Sequence, residues 1–133
     1  MDYIKKKIIV MGEPVPKGRP RVAIRGRFPV FYTPKETRAA EDDFVKQAVK
    51  SGKPGFPTEG PVSINIRFYK KRPKSKPKGE LYWTTKPDLD NFVKLSMDAM
   101  NKIFFKDDSQ VVKIIASKEY DEVPRTEVDI IEL

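Results

Sequence analysis

From Val62 to Phe68 the side chains alternate strictly. Val62, Ile64, Ile66 and Phe68 are apolar, and Ser63, Asn65 and Arg67 between them are polar. Successive side chains of an extended strand point to opposite faces, so a period of two gathers the four apolar groups on one side. The segment is a half-buried strand, and the chain around it has to build a sheet. Residues 3–11 predict a first strand, and residues 21–25 and 28–32 a small hairpin around Arg25-Gly26-Arg27. Residues 111–120 and 126–133 predict a closing antiparallel pair that turns at 121–124.

Two segments have helical spacing instead. Thr33-Pro34-Lys35-Glu36 opens the first, with Thr33 as cap, Pro34 at the first helical position and Glu36 completing a capping box. Ala40, Phe44, Val45, Ala48 and Val49 then share one face, and Ser51-Gly52-Lys53-Pro54-Gly55 ends the helix near residue 50. The second helix spans residues 88–104. Leu89, Phe92, Val93, Met97, Met100, Ile103 and Phe104 make its apolar stripe, and Asp90, Lys94 and Asp98 lie four apart on the opposite face. Phe104-Phe105 is either core or subunit contact, and Phe105, which falls off the stripe, is the candidate for the contact. Between these elements lie a proline- and glycine-rich loop at 12–21 and a basic, proline-broken loop at 70–78. There is no internal repeat. The expected architecture is α+β: one domain over residues 1–133, a small mixed β-sheet with two main helices packed on one face.

The absent residue types limit the chemistry. The chain has no cysteine, hence no disulfide framework and no thiolate zinc site. It also has no histidine, which removes Ser-His and Cys-His nucleophiles, a histidine base and His-ligated zinc. A metal ion would need oxygen ligands, which suit Mg²⁺, Mn²⁺ or Ca²⁺. No apolar run approaches the roughly 18 residues of a membrane span, and the basic-then-apolar start makes a poor signal peptide. A cytoplasmic location is expected. With 38% hydrophobic and 35% charged residues the core is thin, and subunit pairing would let the chain bury more surface.

Charge is unevenly spread. Residues 1–86 hold 21 Lys/Arg against 8 Asp/Glu, and residues 87–133 hold 6 against 11. A basic body predicts a polyanionic partner, most economically nucleic acid. An acidic cluster beside it would repel phosphate, unless a divalent ion at the phosphate makes use of it. The acids in question are Asp88 and Asp90 at the start of the second helix and Asp107-Asp108 past its end. Two or three converging carboxylates could hold Mg²⁺, with Lys94 one turn after Asp90 donating to the phosphate. Each residue also has an ordinary reading: Asp88 as an N-cap, Asp90 and Lys94 as a surface pair, Asp107-Asp108 as a turn. A continuous helix of about 16 residues is roughly 24 Å long, so Asp108 reaches Asp88 only if the chain folds back.

Lys86-Pro87-Asp88-Leu89-Asp90-Asn91-Phe92-Val93-Lys94, Asp98-Ala99-Met100 and Asp107-Asp108-Ser109-Gln110-Val111 resemble the RusA family of Holliday junction resolvases. Pro14-Val15-Pro16-Lys17-Gly18-Arg19-Pro20-Arg21 and Tyr32-Thr33-Pro34 resemble its phage and prophage members, so the likeness touches most of the chain. It implies a RusA-like, homodimeric fold that nicks four-way DNA junctions in pairs during recombination and repair, using Mg²⁺ with Mn²⁺ able to substitute. It implies Asp88, Asp90 and Asp108 as the essential, metal-holding carboxylates and Lys94 as the essential lysine. Asp98 matches a recurrent acidic position, and Asp107 is either supporting or turn-forming. Lys17, Arg19, Arg21, Lys70, Lys71, Arg72 and Lys74 are expected to track DNA phosphates. Phe31, Tyr69 and Trp83 either stack on unpaired bases or are buried. The competing classes are a non-catalytic basic nucleic-acid binder and a nuclease for flaps or single strands without junction preference.

Overall fold

The computed structural model describes residues 5–133; positions 3 and 4 of the expected first strand lie outside them. The elements run β1 (Lys5–Met11), β2 (Arg21–Arg25), β3 (Phe28–Tyr32), α1 (Lys35–Gly52), β4 (Val62–Lys70), α2 (Leu89–Met100), a 3-10 turn (Asp108–Gln110), β5 (Val111–Tyr120) and β6 (Arg125–Glu132). The alternating segment is an inner strand of a mixed four-stranded sheet, ordered β1-β6-β4-β5. Ile8 and Val10 of β1, Ile64, Ile66 and Phe68 of β4, and Val128 and Ile130 of β6 are buried on one face. Both helices cover that face, through Phe44 and Ala48 of α1 and Phe92, Leu95 and Met100 of α2. The α+β reading with two helices on one face therefore holds.

The strand adjacency differs from expectation. β5 and β6 are not a hairpin: β5 pairs with β4 in parallel, and β6 is inserted between β4 and β1, antiparallel to both. A strand that returns through a helix lies parallel to its predecessor, and α2 is such a crossover between β4 and β5. The other side of β4 is then filled by β6, whose Val128 and Ile130 complete the apolar face. The 121–124 link crosses the end of β4, where Asp121 N donates to Lys70 O at 2.9 Å.

Helix boundaries also shift. The N-cap of α1 is Pro34 rather than Thr33, and no side chain caps it. Moving the cap by one residue puts Thr37 where the capping box needs Glu36, and Glu36 faces Arg21 instead at 3.8 Å. The helix continues to Gly52, where a Cβ would meet Phe104 and Ile8 side chains at 2.8–3.0 Å and only glycine fits. Val49 stays exposed, outside the core. α2 ends at Met100, four residues early, and the chain turns at Lys102 with φ 67°. Released from helical geometry, Phe104 and Phe105 both point inward and are fully buried, so Phe105 is a core residue and not a subunit contact.

The two edges of the sheet are treated differently. Along β1, Ser51 and Gln47 of α1 bond the free backbone groups of Ile9 and Met11, which blocks pairing with another strand. Along β5, only the far end is covered, where Trp83 N donates to Lys118 O and Tyr120 N to Leu81 O. Val112, Ile114 and Ile115 in its first half are exposed. Among the described residues no helix is long and apolar enough to cross a membrane.

The face of the sheet away from the helices carries an ion-pair network of Arg67 with Glu127 and Asp129, and Arg125 with Glu127. Burial pushes the Glu127 carboxyl up, but the bond from Arg125, the charges of Arg125 and Lys7 and a bond from Arg67 outweigh this and hold it below its ordinary 4.5. A carboxyl depressed in the folded state contributes stability above its unfolded value and loses it as pH falls through the folded one. The urea unfolding midpoint is therefore expected to drop between about pH 5 and pH 3, and Glu127→Gln to flatten that drop. An unchanged slope in the variant would remove Glu127 from the account.

Candidate active site

Asp88 sits at the N-cap of α2 in extended conformation (φ −70°, ψ 145°), yet its carboxylate makes no capping hydrogen bond. Asp90 lies in the first helical turn and Lys94 one turn further on, both exposed. No ion pair joins Asp90 to Lys94, and none engages Asp88, Asp90, Lys94 or Asp108 among the described residues. These four charges are left open on a surface where many others are paired. The positive end of the helix favours the two carboxylates at its start.

Three contacts hold this region in place. Lys118 of β5 donates to Thr85 O at 2.7 Å and Pro87 O at 2.8 Å, clasping the segment that leads into Asp88. The same ammonium lies 4.9 Å from the Trp83 ring, which is buried edge-on against Phe92 at 5.2 Å. From the other side the N-terminal loop is docked on α2 by Lys17 N, which donates to Asn91 O at 2.9 Å. Gly18 N donates to Thr37 Oγ1, and a Cβ at Gly18 would stand 2.6 Å from that oxygen, so glycine is required for the approach. Lys17 to Pro20, Asn91 and Lys94 enclose a notch of about 150 Å³ beside Lys94.

Lys17 itself is not available to a phosphate. Its ammonium is largely buried between Glu41 at 2.7 Å and Asp98 at 2.8 Å. Burial alone would depress its pKa; the bonds to Asp98 and Glu41 overcome that and leave it raised. Asp98 thus acts through Lys17, fastening the loop to both helices. Arg72 is also occupied: its guanidinium donates to Glu80 O at 3.1 and 3.2 Å and closes the basic loop on itself. Lys70 is half-buried over the Trp83 ring at 5.1 Å. Arg19, Arg21, Lys71 and Lys74 remain exposed. Of the three aromatics, Trp83 is core, Tyr69 is half-buried under Arg125 at 4.2 Å, and Phe31 is exposed.

The other end of α2 carries Asp107 and Asp108. Asp107 caps the 3-10 turn, accepting from Ser109 N and Ser109 Oγ, while Asp107 N donates to Gln110 Oε1. Those bonds from Ser109 hold its carboxyl below the usual range. Asp107 is therefore the turn-former, and Asp108 beside it is exposed and uncommitted. The 12 residues of α2 span about 18 Å, so Asp108 stands at the far end from Asp88 and Asp90. Among the described residues no three acidic side chains come close enough to hold one ion. One copy carries Asp88, Asp90 and Lys94 at the start of α2 and Asp108 beyond its other end.

Lys118 was missed by sequence reasoning. In Ser117-Lys118-Glu119 it reads as an ordinary strand lysine, and only the tertiary contact with Thr85 and Pro87 shows what it holds.

The chain matches the family model described as Endodeoxyribonuclease RusA over residues 11–131. It is 41% identical to "Uncharacterized protein YqaN" of Bacillus subtilis (strain 168), over 143 aligned positions that take in 100% of this chain and 99% of that protein. It is 32% identical to the "Crossover junction endodeoxyribonuclease rusA" of Lactococcus phage r1t, over 106 positions, 77% of this chain and 78% of that protein.

Proposed function

The chain belongs to the RusA family of endodeoxyribonucleases, and from that premise we propose that it resolves four-way DNA junctions by paired nicks, as a divalent-metal-dependent homodimer. The observation that carries this reading is the set of open charges: Asp88, Asp90, Asp108 and Lys94 have no partner among the described residues, while Lys17, Arg67 and Arg125 are each bound twice. Uncommitted carboxylates with no histidine or cysteine anywhere in the chain fit a hard, oxygen-loving cation. Asp88, Asp90 and Asp108 would hold Mg²⁺ or Mn²⁺. Such an ion supplies Lewis acidity, making water acidic enough to attack phosphorus near neutral pH and offsetting charge on the phosphate. Lys94 donates to a non-bridging phosphate oxygen as negative charge grows there. Water's oxygen bonds to phosphorus and gives up a proton to solvent, the bond to the 3′ oxygen breaks as that oxygen takes up a proton from solvent, and a 5′-phosphate and 3′-hydroxyl remain for ligation.

Pairing supplies what one copy lacks. Leu89, Val93 and Met97 are spaced four apart on α2 and only half-buried, and β5, which α2 contacts, leaves Val112 and Ile114 exposed. An isologous contact through this strip, with the two-fold axis across the helices, sets α2 antiparallel to its mate. The start of one helix then lies beside the end of the other, and Asp108 of a second copy joins Asp88 and Asp90. Two such sites related by a two-fold axis match the symmetry of a four-way junction. Arg19, Arg21, Lys71 and Lys74 contact phosphates along the arms.

Synthetic four-way junction, linear duplex, flap and single strand, each in Mg²⁺ and in EDTA, make the test. The expected result is nicking of two opposed junction strands with ligatable ends, and none in EDTA. Junction bound but uncut in both Mg²⁺ and Mn²⁺ would establish a non-catalytic binder. Equal cutting of flaps or single strands would remove the junction preference.

A further inference from the structure

The β2–β3 hairpin is a two-stranded sheet of its own, joined to no strand of the main sheet. Its register pairs Val22 with Phe31 and Ile24 with Pro29 on one face, and Arg21 with Tyr32, Ala23 with Val30 and Arg25 with Phe28 on the other. The first face is wholly apolar. Ile24 and Phe31 on it are 78% and 69% exposed, and Phe28, on the other face beside Arg25, is 74% exposed. A lone hairpin is at best marginally stable in water, and one with this much bare apolar surface calls for something to cover it.

The charge around it selects the occupant. From residue 14 to residue 35 there are six Lys/Arg and no Asp or Glu. Polyanion is the matching chemistry, and the aromatic surface narrows it further. Paired, stacked duplex presents base edges in its grooves and gives a phenyl ring little to lie against. An unstacked base presents its whole π-face, and aromatic side chains beside guanidinium groups are the usual platform for it. The five-residue strands are about 17 Å long, enough to project well clear of the body. The hairpin also springs from the right place. Its root follows the loop that Lys17 N fastens to Asn91 O, the residue after Asp90.

We infer that this hairpin is a wedge for the branch point: Phe31 from one face and Phe28 from the other lie against bases opened on either side of it at the centre of the junction, and Arg25 and Arg27 bind the flanking phosphates. The inference rests on the reading of branched DNA as substrate. It assigns junction selectivity to an element separate from the carboxylates that cut.

Binding of the wild-type chain in EDTA to a four-way junction carrying 2-aminopurine at the branch point tests it, with duplex of the same sequence as control. Binding is expected to raise the fluorescence several-fold. The double variant Phe28→Leu/Phe31→Leu keeps the bulk but not the rings. It is expected to lose that rise and to weaken junction binding by about tenfold or more, with duplex affinity and sedimentation unchanged. Phe28→Trp/Phe31→Trp should retain both properties. A leucine variant that brightens the probe as the wild type does would overturn the wedge. So would one that changes the oligomeric state, since the surface would then be a protein contact. If the wild-type chain binds junction no better than duplex, the substrate reading fails and the wedge with it; junction preference without a fluorescence rise sinks the wedge alone.

Discussion

Asp90→Asn is expected to slow junction cutting by about a hundred- to a thousandfold or more while leaving junction binding intact. The substitution keeps size and removes one charge from an exposed, unpaired side chain in the first turn of α2, so it disturbs no contact in the fold. A carboxylate facing DNA repels phosphate, so the dissociation constant should stay level or fall. Nicking rate under single-turnover conditions and a gel-shift titration in EDTA give the two numbers. Cutting that survives in the variant would take Asp90 out of the site. The placement of Asp108 adds a sharper expectation. Asp90→Asn and Asp108→Asn proteins should each be inactive alone, yet a mixture refolded together should nick again, one strand per junction. If the copies pair as proposed, with Asp108 of one completing the site of the other, one site of the mixed dimer receives both lesions and the other receives neither. If each site were built within one copy, both sites would be damaged and the mixture would stay dead.

Phe105→Ala is expected to cost about 3–5 kcal/mol, a large share of the roughly 5–15 kcal/mol that holds a domain of this size together. Phe105 is 0% exposed inside a single chain, and the backbone on both sides is tied down: Thr58 N donates to Phe104 O and Lys106 N to Thr58 O. The cavity left by the ring cannot close cheaply against those bonds. Urea unfolding should show a lower midpoint with an unchanged slope. A subunit-contact residue would behave differently, because its loss would weaken association and so reduce the dependence of the midpoint on protein concentration. A penalty below about 1 kcal/mol would mean that the ring is not packed as described.

Local periodicity was a sound guide wherever one element decides its own form. The alternation at 62–68 is an inner strand, and the hairpin begins and ends at the expected residues. It failed where the partner is distant. Nothing between residues 111 and 133 shows that β6 leaves β5 to lie between β1 and β4. The apolar spacing of Met100, Ile103 and Phe104 carries on past the true end of α2 at Met100. The break is at Asn101 and Lys102, neither glycine nor proline. Among the site residues, Asp88, Asp90 and Lys94 are legible as a spacing on one helix. Lys17 and Arg72 look like any basic loop residues, and only folding shows that acceptors inside the chain already hold them. The role of Asp98 was open for the same reason, since its partner lies far off in sequence.

The insertion of β6 between β1 and β4 has a consequence for order of synthesis. On the ribosome, α1, β4 and α2 emerge with their apolar faces before the strand that joins the two halves of the sheet exists. Until residues 125–132 are out, β1 and β4 have no common neighbour, and closure of the sheet awaits a pairing across nearly the whole chain. Closure of the sheet therefore waits for residues 125–132 to leave the ribosome. A chain arrested before residue 125 would expose the faces of Ile8, Ile64 and Ile66 together, a species suited to chaperone capture rather than to DNA.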